Sequence, residues 1–200
     1  RAFVILLQER SCGEQVPQAD AGPRGMMGIT WFIRDAGKFK VYAHGGATNG
    51  QQAYFFHIPD RDFACAILTN SDDGGIITAG IFGLVLETYF KTILNPPEPI
   101  EVPVKELNEY AGRYKIGTEC FDIKVKDKYL IYHHIPLGGF PTPDTPPGPA
   151  MPPMRFQFYE KDKVIGLDEP YKDALGDIIR DKDGRVEYFR VGGRAHKKIK

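Results

Sequence analysis

The chain is poor in the residues that would commit it to several kinds of chemistry. Serine occurs only at Ser11 and Ser71 in 200 residues, and tryptophan only at Trp31. Three cysteines, Cys12, Cys65 and Cys120, stand far apart with no C-x-x-C spacing. That pattern argues against a disulfide framework or a zinc site and fits a reducing compartment. Formal net charge is zero, with 8 Lys+Arg against 10 Asp+Glu in residues 1–100 and 18 against 16 in residues 101–200. Nothing in this balance draws the chain to nucleic acid or to an anionic membrane surface. The apolar run from Ala2 to Leu7 is too short to span a bilayer and lacks a signal-peptide pattern. A cytoplasmic location is favoured. Because the chain opens at Arg1 directly in this apolar run, its first residues read as the end of a helix that begins upstream.

An apolar content of 42% is ordinary for a soluble globular chain. Residues 11–27 read as loop, broken by Gly13, Pro17, Gly22, Pro23 and Gly25. Four strand-like runs follow, over residues 28–34, 38–43, 52–58 and 62–69. Asp35-Ala36-Gly37 and Pro59-Asp60-Arg61-Asp62 supply turn chemistry between them. Spacers this short predict antiparallel neighbours, since parallel strands need a connection of about a dozen residues or more. Over residues 76–94 the period becomes helical, carried by Ile76, Ile77, Ile81, Leu84, Val85, Thr88, Tyr89 and Ile93. Asp72 and Asp73 suit the start of that helix, and it is expected to cover one face of the sheet.

Residues 96–103 form a proline-rich linker, with Pro96, Pro97, Pro99 and Pro103. Beyond it, residues 104–200 break into eight short candidate strands: 112–116, 120–125, 129–133, 155–159, 164–167, 177–180, 186–191 and 195–199. Turns such as Lys126-Asp127-Lys128 and Lys161-Asp162-Lys163 join them. Eight such strands predict a small meander closed into a barrel, which removes exposed edges. Residues 136–153 hold eight prolines and three glycines and cannot be regular. They form either a disordered insertion or a long loop laid against a neighbour.

Between the second and third strands lies His44-Gly45-Gly46. A glycine pair after a strand ordinarily marks a turn. Here it sits in a longer order: a tryptophan-bearing strand, a hairpin, His-Gly-Gly, the polar turn Ala47-Thr48-Asn49-Gly50, an aromatic strand, then Leu68-Thr69-Asn70-Ser71. The run Gly28-Ile29-Thr30-Trp31, His44-Gly45-Gly46 and Leu68-Thr69-Asn70 resembles the penicillin-recognising serine hydrolases. The likeness is to the branch of class C β-lactamase-like esterases and D-amino-acid peptidases, and it covers about residues 1–90. It implies an α+β fold for residues 1–95: the antiparallel sheet and C-terminal helix portion of a β-lactamase-like domain. It further implies that His44 replaces the basic residue of a Lys/His-x-Gly strand lining an acyl-transfer pocket. Gly45 and Gly46 would border the substrate, Gly46 leaving it room to approach the backbone. The Ala47 N–H would be one of two oxyanion-hole donors.

The same resemblance calls for a Ser-x-x-Lys on a helix, where the lysine helps deprotonate the serine. Ser11 and Ser71 are followed three residues on by Glu14 and Gly74, so neither fits. No Tyr-x-Asn or Ser-x-Asn occurs either. The expected partner is therefore an N-terminal catalytic segment bearing Ser-x-x-Lys, with a small peptide, ester or β-lactam-like substrate. No hydrolase activity is expected of the chain by itself. Leu107-Asn108-Glu109-Tyr110-Ala111-Gly112-Arg113-Tyr114 is similar to the opening of the lipocalin-like barrels that follow some catalytic domains of this branch.

Other features have plainer readings. His133-His134 are adjacent on a strand, face opposite sides and cannot share a metal, so they read as an ordinary strand end. His57 reads as a strand residue with one satisfied nitrogen. Asp181-x-Asp183-Gly184 lacks the remaining ligands of a calcium loop and reads as a turn. The basic residues from Arg194 to Lys200 read as a solvated strand or tail, and the aromatics as core filling. Nothing calls for a metal or cofactor, and homo-oligomerisation is left open. Two alternatives to the hydrolase reading remain: a non-catalytic protein whose barrel carries a small apolar ligand, and a catalytically dead relative used for assembly.

Overall fold

The computed structural model of the protein describes residues 15–117, 119–139 and 142–199. Ser11, Cys12 and the apolar opening read as a helix end lie outside them. Two compact units divide the chain, one ending at Asn95 and the other beginning at Pro96.

In the first unit six antiparallel strands pair in chain order. They are β1 (Ala19–Asp20), β2 (Met26–Met27), β3 (Phe32–Asp35), β4 (Lys40–Thr48), β5 (Gln51–Ile58) and β6 (Phe63–Thr69). Strand alternation sends Val41, Ala43, Phe56, Ile58 and Ile67 to one face, where they are buried, while Ile33, opposite Tyr42, is buried on the other. Helix α1 (Gly74–Phe90) belongs to the same core through Phe82, Val85 and Leu86. Phe82 meets Phe56 edge-on at 4.9 Å, a favoured aromatic geometry. Burying an aromatic pair of this kind contributes roughly 1.5–3 kcal/mol per ring.

Several boundaries differ from those the sequence suggests. The loop-like stretch ahead of the sheet carries the two shortest strands, β1 and β2. Trp31 stands outside a strand, because residues 28–31 make a tight turn in which the Gly28 N–H donates to the Trp31 carbonyl at 2.8 Å. Helix α1 starts at Gly74 and stops at Phe90 rather than at residue 94. Lys91 turns left-handed there, with φ 53°, and its N–H donates to the Glu87 carbonyl. Neither Asp72 nor Asp73 caps the helix by its side chain. The Asp73 N–H instead donates to Ser71 Oγ at 3.1 Å.

The second unit opens with α2 (Val104–Leu107) and a 3-10 turn at Asn108–Tyr110. Eight strands then form a closed antiparallel meander. They are β7 (Gly112–Ile116), β8 (Glu119–Lys126), β9 (Tyr129–Pro136), β10 (Met154–Glu160), β11 (Lys163–Gly166), β12 (Leu175–Arg180), β13 (Val186–Val191) and β14 (Arg194–Lys198), with β14 pairing back onto β7. The barrel expected from the sequence is therefore present. Its interior is filled by Tyr114, Phe121, Tyr132, Phe156, Phe158 and Phe189 among others. Neighbouring rings lie between 4.4 and 6.1 Å apart, so this interior is a packed core.

One rim of the barrel is closed by Arg180. Its guanidinium donates to both Glu109 carboxylate oxygens, to both Asp162 oxygens, to the Tyr110 hydroxyl and to the Gly184 carbonyl. Residues 137–139 and 142–153 have no regular structure, but Met151 packs on the barrel core. Of the two readings of this proline-rich stretch, a loop laid on the barrel describes these residues. His133 and His134 lie within β9 rather than at a strand end, because pairing with β8 carries that strand on to Pro136.

Candidate functional site

Strand β4 does not end at the glycine pair. It runs through His44, Gly45, Gly46 and Ala47 to Thr48, so the expected four-residue turn shrinks to Asn49-Gly50. Gly50 takes the positive φ of 73° that such a tight connection needs. The glycines stay extended because every residue from Tyr42 to Thr48 is paired with β5. On its other side β4 is paired with β3 only as far as Ala43, which lies opposite Phe32. There the 28–31 turn carries the chain away.

Backbone direction follows from this register. The Ala36 N–H donates to the Phe39 carbonyl at 2.9 Å, so alternate residues Val41 and Ala43 exchange hydrogen bonds with β3. By the same alternation Tyr42, His44, Gly46 and Thr48 bond to β5. The N–H and C=O groups of Gly45 and Ala47 therefore point to the open edge, where no strand among the described residues receives them.

The hairpin tip beside this edge is braced by the Leu68-Thr69-Asn70-Ser71 segment and the residues after it. The Gly50 N–H donates to Asp72 Oδ1 at 2.6 Å, and Gln52 Nε2 donates to the Asp72 carbonyl. Thr69 Oγ1 reaches the Gln52 carbonyl at 3.4 Å. Gly74 lies so close that a methyl there would overlap the Thr69 hydroxyl. No such packing demand holds at the glycine pair. A methyl on Gly46 would meet nothing within 4 Å, and one on Gly45 would make ordinary contacts at 3.5 Å.

His44 projects from the sheet face opposite α1 and stacks on Phe32, with ring centroids 6.3 Å apart. The same face carries Trp31, Tyr42, Phe55 and His57. Trp31 lies 5.1 Å from the His57 ring and 5.7 Å from that of Phe55. Burial pushes the His57 imidazole below its ordinary pKa, and its Nε2 is enclosed without a hydrogen-bond partner. His57 is the strand residue its sequence context suggests, but the satisfied nitrogen expected of it is not Nε2. Its place among three aromatic rings depends on cross-strand register, which composition does not show. Ser71 is the one serine among the described residues, and its hydroxyl is occupied by the Asp73 N–H. No group of three or more His, Cys, Asp or Glu able to hold a metal occurs among the described residues.

Known proteins give one consistent likeness. The fold recurs in SurE. A crystal structure of SurE with D-Leu matches 94% of this chain with a TM-score of 0.65 at 19% identity, and a second SurE structure matches 94% with 0.63 at 18%. At such identities the likeness concerns the fold alone. The chain spans about two-fifths of those structures, 42% and 41% of their length. An octameric penicillin-binding protein homologue from Pyrococcus abyssi aligns with a TM-score of 0.31 at 19% identity, over 88% of this chain and 38% of its own. No family model matches the chain, and no curated protein does.

Proposed function

We propose that residues 15–95 form the substrate-side wall of a serine-hydrolase site, with the Ser-x-x-Lys nucleophile carried by a segment outside these 200 residues. The observation that carries this reading is the open edge of β4. Its unpaired Ala47 N–H stands beside two glycines that the packing of this chain does not require. A donor fixed on a strand costs no reorganisation when an oxyanion forms against it. Absent side chains at Gly45 and Gly46 would let an acyl group reach that donor. His44 would contribute a polar group at the mouth of the same pocket. In this arrangement the missing segment packs on the sheet face bearing Trp31, Tyr42, His44 and His57, because α1 already covers the other.

Acyl transfer to or from a small peptide, carboxyl ester or β-lactam-like substrate is the chemistry such a wall serves. SurE with D-Leu supports a substrate containing a D-amino acid. The two-fifths coverage of SurE supports a partner segment of substantial size. The alternative of a ligand carried inside the barrel is weakened by the aromatic filling of its interior.

The test is Ala47→Pro, in the longer protein or in the chain joined by its Ser-x-x-Lys segment. Proline is tolerated at an open strand edge but lacks the N–H. Acylation by a serine-reactive phosphonate or β-lactam probe is expected to fall roughly 100- to 1,000-fold, with Trp31 fluorescence reporting an intact fold. Unchanged acylation in the folded variant would refute the role of Ala47. Absence of acylation in the unmodified assembly would refute the hydrolase reading itself.

A further inference from the structure

The barrel's outer wall carries a groove of about 560 Å³ lined by Lys124, Val125, Lys126, Ile131, His133, Pro153, Arg155 and Asp168. Cross-strand register builds it. Lys124 and Arg155 both lie opposite Ile131, one from β8 and one from β10, so the isoleucine forms a floor between two cations. Pro153 extends that apolar floor.

The charges around it are not balanced. Arg155 is engaged by Asp168, with its Nη2 donating to Oδ1 at 2.7 Å, and its guanidinium lies 5.4 Å from the Tyr129 ring. Asp122, the next acid along β8, is engaged by Arg113 through bonds of 2.7 and 3.0 Å. Both neighbouring carboxylates are thus already matched to arginines. Among the described residues Lys124 and Lys126 enter no salt bridge, although the charge of Lys124 helps, after Arg113, to hold the Asp122 carboxyl below its ordinary pKa. Two ammonium groups with no salt-bridge partner among the described residues therefore stand beside an apolar floor.

We propose that this groove binds an organic carboxylate with an apolar body, its charge between Lys124 and Lys126 and its body on Ile131 and Pro153. The volume is that of a small-molecule site, well below what a folded partner covers. Because the groove is open to water, binding is weak, on the order of millimolar, and falls with added salt. The carboxylate has two sources of one chemistry, an aliphatic acid or the C-terminus of a short apolar peptide. The site lies wholly within the barrel and stands or falls independently of the β4 edge.

The experiment is amide chemical-shift mapping on the 200-residue chain with sodium octanoate and, separately, N-acetyl-leucyl-leucine. Octanol tests the apolar body alone and acetate the charge alone. The expected result is saturable shifts at Lys124–Lys126, Ile131 and Arg155 with one or both carboxylates, and none with octanol or acetate. The tighter carboxylate identifies the source. In the Lys124→Gln, Lys126→Gln double variant, whose changes are on exposed side chains, affinity drops roughly fivefold. Equal shifts with octanol, no saturable shifts with either carboxylate, or undiminished affinity in the double variant would each overturn the proposal.

Discussion

Arg180→Met tests whether the rim of the barrel is held by the charge network or by its packed core alone. The Arg180 side chain is 21% exposed and that of Asp162 20%, whereas Glu109 is 45% exposed. Methionine keeps most of the volume but leaves Asp162 largely enclosed, with only the Tyr110 hydroxyl as a strong partner, at 3.0 Å. Breaking a fully buried pair costs about 3–5 kcal/mol, and an exposed one about 0–1. With one carboxylate largely solvated and the other still hydrogen-bonded, the expected loss is about 2–3 kcal/mol. For a unit of this size that corresponds to a fall of roughly 10–20 °C in Tm. The near-UV circular dichroism of the barrel tyrosines is the readout. Desolvation, the largest single influence on Asp162, pushes its carboxyl up. The hydrogen bonds and charge of Arg180, with the Tyr110 hydroxyl, outweigh it and leave the carboxyl below its ordinary pKa. A lowered acid stabilises above its unfolded pKa, about 3.9, and that stabilisation is lost as pH falls through the folded value. The gap between parent and variant should therefore shrink in acid. A loss under about 1 kcal/mol at neutral pH, or a gap constant into acid, would refute this account of the rim.

Three further outcomes are expected. Gly74→Ala should destabilise the sheet-and-helix unit by about 1–3 kcal/mol, measured by denaturant titration of Trp31 fluorescence. Thr69→Ala should recover most of that loss, because it removes the hydroxyl the new methyl strikes. Gly46→Val should leave the same titration within about 0.5 kcal/mol while abolishing acylation of the completed site; a large stability loss would mean that the glycine serves packing. Desolvation holds the Tyr110, Tyr114 and Tyr132 phenols well above their ordinary pKa of 10.0. A raised phenol favours the folded barrel only until the unfolded chain ionises, so stability should fall as pH rises past that value. Tyrosinate absorbance should then develop together with loss of β-sheet circular dichroism. Free titration of all tyrosines in an intact barrel would contradict the burial.

Where side-chain alternation and turn residues agreed, the elements could be read directly. All eight barrel strands were legible, because Lys-Asp-Lys and Asp-Lys-Asp-Gly turns bracket runs of alternating apolar residues. The sheet strands around Phe55 and Ile67 were legible for the same reason. Less visible was the extension of β4 through Gly45 and Gly46. Glycine has no strand propensity, and only the unbroken register with β5 holds it extended. The same blindness hid β1 and β2, two residues each, which exist by pairing rather than by local preference. Lys91 ends the helix early although Thr92 and Ile93 continue a helical pattern, because a single left-handed residue outweighs periodicity. For the candidate site, His44, Gly45, Gly46 and Ala47 could be named from motif order, but not which of their backbone groups face outward.

The truncated pairing between β3 and β4 also governs how this sheet behaves toward other chains. An exposed strand margin invites addition of a foreign strand, the first step of many aggregates. Here the margin offers only Gly45 and Ala47, with Asn49-Gly50 closing it at one end and the turn after Gly28 at the other. Two residues are too few to template a lasting intermolecular ladder, yet enough to grip one carbonyl oxygen. Lengthening β3 by two pairs would cover Gly45, and covering Ala47 would take two more, whereas shortening it by one would bare Ala43 as well.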